Sequence, residues 1–227
     1  RRGTLKGNAF KITLRNCQGD KQALENRLQA ITASGFPNYF TEKRFGHNGE
    51  NIQRAINYLS SPPRREKNRE KRASMISTAR SWIFNLVLAE RVKSGHWIKP
   101  IKGDLMLLDG SNSLFLPEAI DEQIIRRIEQ NDIHPTGPLA GKPASLQPDD
   151  EAAQLEQQII ESHQQLHQGL INLKVESARR ALRVVPKNLQ IQWLDDTTLT
   201  LSFELPSGSY ATALLRELAP YTDQAVY

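Results

Sequence analysis

A mixed α+β fold, a sheet with flanking helices interrupted by a mostly helical α/β insertion, follows from three observations. Alternating apolar residues mark strands near both ends of the chain, helical periodicities dominate the middle, and proline or glycine clusters punctuate the joins. The simplest arrangement lets the first and last segments share one sheet, from which the middle bulges out as a second domain.

The elements can be argued in order. Ala9 to Arg15 sets Phe10, Ile12 and Leu14 on one face and Lys11, Thr13 and Arg15 on the other, the pattern of a half-buried strand. Asp20 to Ala33 carries Ala23, Leu24, Leu28 and Ile31 at helical spacing, with Asp20 placed to cap it and Ser34-Gly35 to stop it. Asn51 to Leu59 forms a second helix, with Ile52, Ala55, Ile56 and Leu59 on one side, ended by Ser60-Ser61-Pro62-Pro63. A long helix is predicted from about Ser74 to Val92. Gly103, Asp104, Gly110 and Asn112 break Ile98 to Leu116 into short strands and hairpins. Asp132 to Pro148 holds four prolines and two glycines and reads as an extended loop. Asp149 to Leu173, rich in Gln and Glu, predicts a long exposed helix that runs on through Ser177 to Leu182. Beyond Pro186, Leu189, Ile191 and Trp193, a turn at Asp195-Asp196, and Leu199, Leu201 and Phe203 make a hairpin. Pro206 to Ser209 is a loop, and Tyr210 to Leu218 a helix beginning at its serine cap.

Composition narrows the class. The 227 residues suffice for one large domain or two ordinary ones. Thirty basic against 25 acidic residues, a net charge of +5, favours an anionic partner only mildly, so local clustering must decide. One cysteine, Cys17, excludes an intramolecular disulfide and fits a reducing cytoplasm. No apolar run approaches the roughly 18 residues of a membrane span. The first residue is Arg1 and not Met, and the chain is expected to be a piece of a longer polypeptide.

Gly35 to Gly46 packs four aromatics, two cations and two bracketing glycines into twelve residues. Two readings stand side by side: a nucleic-acid-facing loop, with rings to stack bases and Lys43 and Arg44 to neutralise phosphate, or a turn pinned by a local aromatic core. Arg64 to Arg72 carries six cations and two glutamates. Glu66 and Glu70 can pair along a helical face, yet the net charge makes Arg64, Arg65, Lys67 and Arg69 the strongest phosphate contacts by charge. His163 and His167 stand four apart without an accompanying ligand set, so no metal is expected. Turn chemistry accounts for Asp195 and Asp196.

Three strings resist such plain readings: Lys6-Gly7-Asn8-Ala9-Phe10, the aromatic stretch, and Leu205-Pro206-Ser207-Gly208-Ser209-Tyr210-Ala211-Thr212. Together they resemble the TruD family of tRNA pseudouridine synthases. The matching patterns are N-x-F-x-x-x-L-R at Asn8 to Arg15, P-N-Y-F-x-x-x-R-F-G at Pro37 to Gly46, and P-x-G-S-[FY]-A-T-x-x-x-R-E at Pro206 to Glu217. Weaker matches fall at Lys67 to Arg72 and at Glu176 to Leu182. The resemblance implies a partial pseudouridine synthase catalytic domain at 1–34 and 185–227, with a family-specific insertion at 35–184.

It further implies isomerisation of uridine 13 of tRNA, by cleavage of the N1 glycosidic bond and rejoining through C5, with no cofactor. Phe10 and Tyr210 match substrate-contacting aromatics, and Asn8 a substrate-contacting amide. The family's catalytic aspartate lies in a G-x-K-D-x-x-A motif upstream of the Asn8 strand, so no catalytic residue is expected in this chain. Gly19-Asp20-Lys21 places its Asp before its Lys and does not match. The chain alone is therefore expected to be inactive, with the missing N-terminal segment as its partner, tRNA as its substrate and no membrane association. The rival reading, from a different class, is a non-catalytic tRNA- or RNA-binding module. In either reading, reversing Arg64, Arg65 and Lys67 to Glu is expected to weaken tRNA binding and flatten its salt dependence. Titrations at two salt concentrations check this, and unchanged affinity at both counts against that surface.

Overall fold

A computed structural model of the chain describes residues 6–60 and 68–222. Arg64, Arg65 and Lys67 thus lie outside the described residues. The described chain divides into two compact units, with the boundaries between Asn38 and Tyr39 and between Leu182 and Arg183.

The first unit contains β1 (Gly7–Leu14), α1 (Lys21–Ser34) and β2 (Phe36–Pro37), then, after the second unit, β7 (Arg183–Val184), β8 (Lys187–Trp193), β9 (Leu199–Pro206) and α8 (Ala211–Leu218). The second holds α2 (Glu42–Phe45), a short 3-10 turn, α3 (Glu50–Ser60), α4 (Arg69–Lys93), β3 (Met106–Leu108), β4 (Leu114–Phe115), α5 (Glu122–Glu129), β5 (Ile133–Leu139), α6 (Asp150–Ser162), α7 (Gln164–Asn172) and β6 (Ala178–Ala181).

In the first unit the strand order is β1-β9-β8, antiparallel throughout, so the first strand pairs directly with the last. Alternation then sorts the side chains. Leu199, Leu201, Phe203 and Leu205 are buried on one face, where they join Leu28 and Ile31 of α1 and Ala213, Leu214 and Leu215 of α8. Phe10, Ile12, Leu14, Leu189, Ile191 and Trp193 pack at the margin of this core. Lys11, Gln190, Gln192 and Glu204 are exposed on the other face. The Asp20 carboxylate accepts from the Gln22 N–H at the start of α1, as expected, and Gly35 closes the helix at φ 80°, which favours glycine. At the hairpin turn, the Thr197 N–H holds the Asp195 carboxyl below the usual carboxylate range, and turn chemistry accounts for this residue.

Sequence signals put the unit boundaries at 34/35 and 184/185, whereas the compact units part a few residues away. The reason is β2–β7 pairing: Phe36 lies opposite Val184, and both side chains are buried in the first unit's core.

In the second unit, Ala55 and Leu59 of α3, Ala79 and Ile83 of α4, and Leu166 and Leu170 of α7 share one core. A smaller cluster sets Ile124 and Ile128 of α5 against Met106 and Ile133 of the antiparallel sheet β4-β3-β5-β6. Three expectations fail, two in this unit and one at α8 of the first. Residues 132–148 are not all loop: β5 is an interior strand despite Pro135 and Pro138. Thr136 donates to Leu105 O on the β3 side, and Pro135 O accepts from Leu182 N–H on the β6 side. By the same alternation the Pro135 nitrogen faces Leu182, where one reciprocal ladder bond is missing, and the Pro138 nitrogen faces the β3 side beyond the start of that strand at Met106.

The long Gln-rich helix breaks twice. His163 leaves helical geometry at φ −124°, and Lys174 turns through φ 56° into the strand β6. Packing on α3 and pairing with β5 override local helix propensity there. Tyr210, not a serine, occupies the N-cap position of α8 and makes no side-chain cap bond. Two elements also depart from the expected plan: α5, capped by Asp121, was not foreseen, and α4 starts at Arg69 under an Asn68 cap, earlier than Ser74.

Buried charge ties the second unit together. Arg91 and Asp104 are 2% and 0% exposed and form a two-pronged pair, Nη1 to Oδ1 at 2.8 Å and Nη2 to Oδ2 at 2.6 Å. Arg179 grips Glu156 the same way at 2.7 and 2.6 Å and also donates to the Thr136 hydroxyl. Burial pushes the Glu156 carboxyl up, against the pull of the Arg179 guanidinium. Removing one partner of such a pair strands the other charge without water. Asp104→Asn is expected to lower unfolding stability by about 3–5 kcal/mol in a denaturant titration. The double substitution Arg91→Met with Asp104→Leu should recover much of it; an Asp104→Asn loss under about 1 kcal/mol would remove the pair from this role.

Candidate functional site

Asn8, Phe10 and Tyr210 come together at one end of the three-stranded sheet. Gly7 pairs with Pro206 and Asn8 with Leu205, so β1 begins where β9 ends. The chain then turns through Ser207–Ser209 into α8, with Tyr210 at its N-cap. Ser207 N–H donates to Lys6 O at 3.2 Å, which ties the turn to the entry of β1. α8 is held in turn by Arg27 of α1, whose Nη2 reaches a Glu217 carboxylate oxygen at 2.7 Å and whose Nε donates to Glu217 O.

The three side chains differ in freedom. Asn8 shares the strand parity of Phe10 but is exposed, offering both a donor and an acceptor. Phe10 is half-buried and stacked on Phe203, with centroids 5.4 Å apart and planes 25° from parallel, so its ring plane is fixed from below. Tyr210 is half-buried at the edge of the same core. A fixed aromatic plane beside an amide can hold a flat polar heterocycle by its face and its edge.

The aromatic stretch resolves into packing. Phe36 is buried in the first unit's core. In the second unit, Phe40 meets Phe84 edge-on at 5.6 Å and Phe45 meets Trp82 edge-on at 5.9 Å. The cations of the stretch sit on α2, with Lys43 exposed and Arg44 half-buried. Arg69 is exposed at the first turn of α4. α2 meets α4 at Thr78 and Trp82. Arg69 lies nine residues before Thr78, about 13 Å along the helix axis. Lys43 and Arg44 are thus adjacent, and Arg69 stands apart from them on the same unit.

Among the described residues no group of three or more His, Cys, Asp or Glu side chains is arranged to hold a metal ion. No helix among them is long and apolar enough to cross a membrane. Sequence reasoning missed Arg180 of β6, whose guanidinium carbon lies 4.0 Å from the Phe40 ring centroid. The paired arginines in Glu176 to Leu182 were visible, but a helical reading of that segment hid their alternation.

Antiparallel strands from both ends of the chain, packed on two helices and interrupted by a separate α/β unit, define an α+β protein. The sequence model described as tRNA pseudouridine synthase D (TruD) matches residues 1–58 and 68–218, and the chain belongs to the TruD family. It is 44% identical to tRNA pseudouridine synthase D of Xanthomonas euvesicatoria, over 98% of this chain and 64% of that protein. With tRNA pseudouridine synthase D of Hydrogenovibrio crunogenus it shares 42% identity, over 95% of this chain and 62% of the relative. The chain thus spans less than two thirds of these relatives. A crystal structure of the putative tRNA pseudouridine synthase D from Methanosarcina mazei superposes with a TM-score of 0.68 at 20% identity, covering 95% of this chain and 69% of that one. That likeness shows the fold.

The stack at the sheet end has a stability signature. Phe203→Ala should cost about 3–5 kcal/mol, the usual loss for a buried phenylalanine, and Phe10→Ala less than half of that. Denaturant titration of both variants checks the order; an equal or larger loss at Phe10 makes it a core residue and not a presented ring.

Proposed function

We propose that this chain is the substrate-holding part of a tRNA pseudouridine synthase that isomerises uridine 13 of tRNA. Family membership carries the reading, and the convergence of Asn8, Phe10 and Tyr210 on one sheet end supports it. The uridine must leave its stack, because a catalytic carboxylate needs contact with the ribose C1′ and the pyrimidine edge. Phe10 and Tyr210 then offer apolar surface to the flipped base, and the Asn8 amide offers a donor and an acceptor to a uracil edge or a ribose hydroxyl. The bond from N1 to C1′ breaks and one from C5 to C1′ forms. The product is an isomer of the substrate, so the reading calls for no cofactor.

Lys43, Arg44, Arg64, Arg65, Lys67 and Arg69 are assigned to backbone phosphates, which position the RNA without reading its sequence. The sequence holds no G-x-K-D-x-x-A motif. The reading therefore assigns the catalytic aspartate to the part of the relatives' length that this chain does not span, and places the protein in the cytoplasm.

Incubation of the 227-residue chain with unmodified tRNA, scored by mass spectrometry of the nucleosides, is expected to bind RNA without forming pseudouridine. Restoring the upstream segment should give conversion at uridine 13, and Phe10→Ala in that complete protein should reduce turnover about tenfold or more while affecting tRNA binding less. Pseudouridine made by the chain alone would overturn the placement of the aspartate. No conversion by the complete protein would leave the non-catalytic RNA-binding module as the reading.

A further inference from the structure

We propose that the loop after α4 holds an unpaired nucleotide of the RNA, with the Trp97 ring against its base and the Lys99 ammonium against its phosphate. The inference rests on the tRNA-binding reading above. The loop is pinned at three points. Arg91 Nε donates to the His96 carbonyl at 2.7 Å, and the His96 N–H donates back to the Arg91 carbonyl at 2.7 Å. The Asp104 carboxylate accepts from the Ile101 N–H at 2.8 Å. Between these anchors Ile98 packs against the core of Met106, Ile124, Ile128 and Ile133. Arg91 and Asp104 are themselves paired and buried, so one ion pair braces both ends of residues 96–101.

Within this brace the two side chains are unengaged. Lys99 is exposed and has no carboxylate partner among the described residues, whereas Lys93 pairs with Glu90 and Lys102 with Asp150. Trp97 is half-buried, and its indole N–H makes no hydrogen bond within the described residues and is not sealed from water. Its ring meets no other ring or cation among them. The other two tryptophans differ: Trp82 meets Phe45 edge-on, and Trp193 donates to Glu25 and lies under the Lys21 ammonium.

A ring on a loop that is already fixed loses little freedom when a base stacks on it, and a lysine two residues on adds charge for the backbone. From Arg91 to Gly103 the chain contains no acidic residue to repel a phosphate. The start of α6 brings Asp149 and Asp150 beside Gly103 and Lys102, which favours Lys99 over Lys102 as the phosphate contact. The competing account makes Trp97 a cover for the edge of the apolar core and Lys99 a solvated charge.

The two accounts separate in tRNA titrations of the 227-residue chain by filter binding at several salt concentrations, with tryptophan fluorescence and a thermal melt of each variant. Trp97→Leu should weaken binding about tenfold, keep the slope of log Kd against log salt, and remove most of the fluorescence quenching that tRNA causes in the parent chain. Trp97→Phe keeps a ring and should lose about threefold or less. Lys99→Gln should lower the slope by about one. Unchanged affinity in Trp97→Leu, or quenching that persists in it, overturns the proposal and leaves the family reading intact. So does an unchanged slope in Lys99→Gln, an exposed position where folding is not at stake. Equal losses in Trp97→Leu and Trp97→Phe with lowered melts make the ring a core residue and also overturn it. A cooperatively folded chain that binds no tRNA at any salt overturns both readings.

Discussion

Eight consecutive residue pairs, from Gly7 opposite Pro206 to Leu14 opposite Leu199, join the first strand of the described residues to the last. A shift of one residue along this ladder would turn Phe10, Ile12 and Leu14 out of the core and Lys11 into it. The same register brings Asn8 and Phe10 to the strand end from which Tyr210 departs. The cluster proposed to face the substrate is therefore a by-product of sheet pairing, and α1 and α8 add the apolar layer that holds the register.

The second unit is built differently. Its sheet is short-stranded, its helices supply much of the core, and it buries two arginine–carboxylate pairs. Such pairs contribute little net stability compared with apolar packing, since each charge gives up its water. What they supply is geometry. Arg91 bonds both Asp104 oxygens and the carbonyl of His96, fixing the chain as it leaves α4. Arg179 fastens β6 to α6 and β5 at once, which leaves its neighbour Arg180 on the opposite side of the strand, over the aromatic rings.

The strands of the first unit were legible because their alternation is unbroken: Phe10, Ile12 and Leu14, then Leu189, Ile191 and Trp193, then Leu199, Leu201 and Phe203. β5 was not, because Pro135 and Pro138 argue against an interior strand, and the β3 and β6 residues that pair with it are distant in sequence. β6 was hidden by its four-residue length and by the helical composition before it. The pairing of Arg91 with Asp104 carries no local signal either, since a cation in the apolar face of a long helix looks like an error until its partner folds onto it. Of the candidate site, Asn8, Phe10, Tyr210, Lys43 and Arg44 came from motifs and charge. The place of Arg180 over the Phe40 ring required the register of β5 against β6.

Joining the first strand to the last also imposes a schedule on synthesis. β1 leaves the ribosome long before β9 exists, and at about 5–20 residues per second the wait is on the order of ten seconds or more. Throughout that interval β1 lacks β9, the strand it pairs with, while the intervening unit, which closes on itself, can fold. An unpaired strand is a template for wrong partners, and charge is the usual guard against them. Lys11 within the strand and Arg15 just beyond it place positive charge on this waiting segment, so the polar face that looks idle in the finished fold is useful while the chain is still being made.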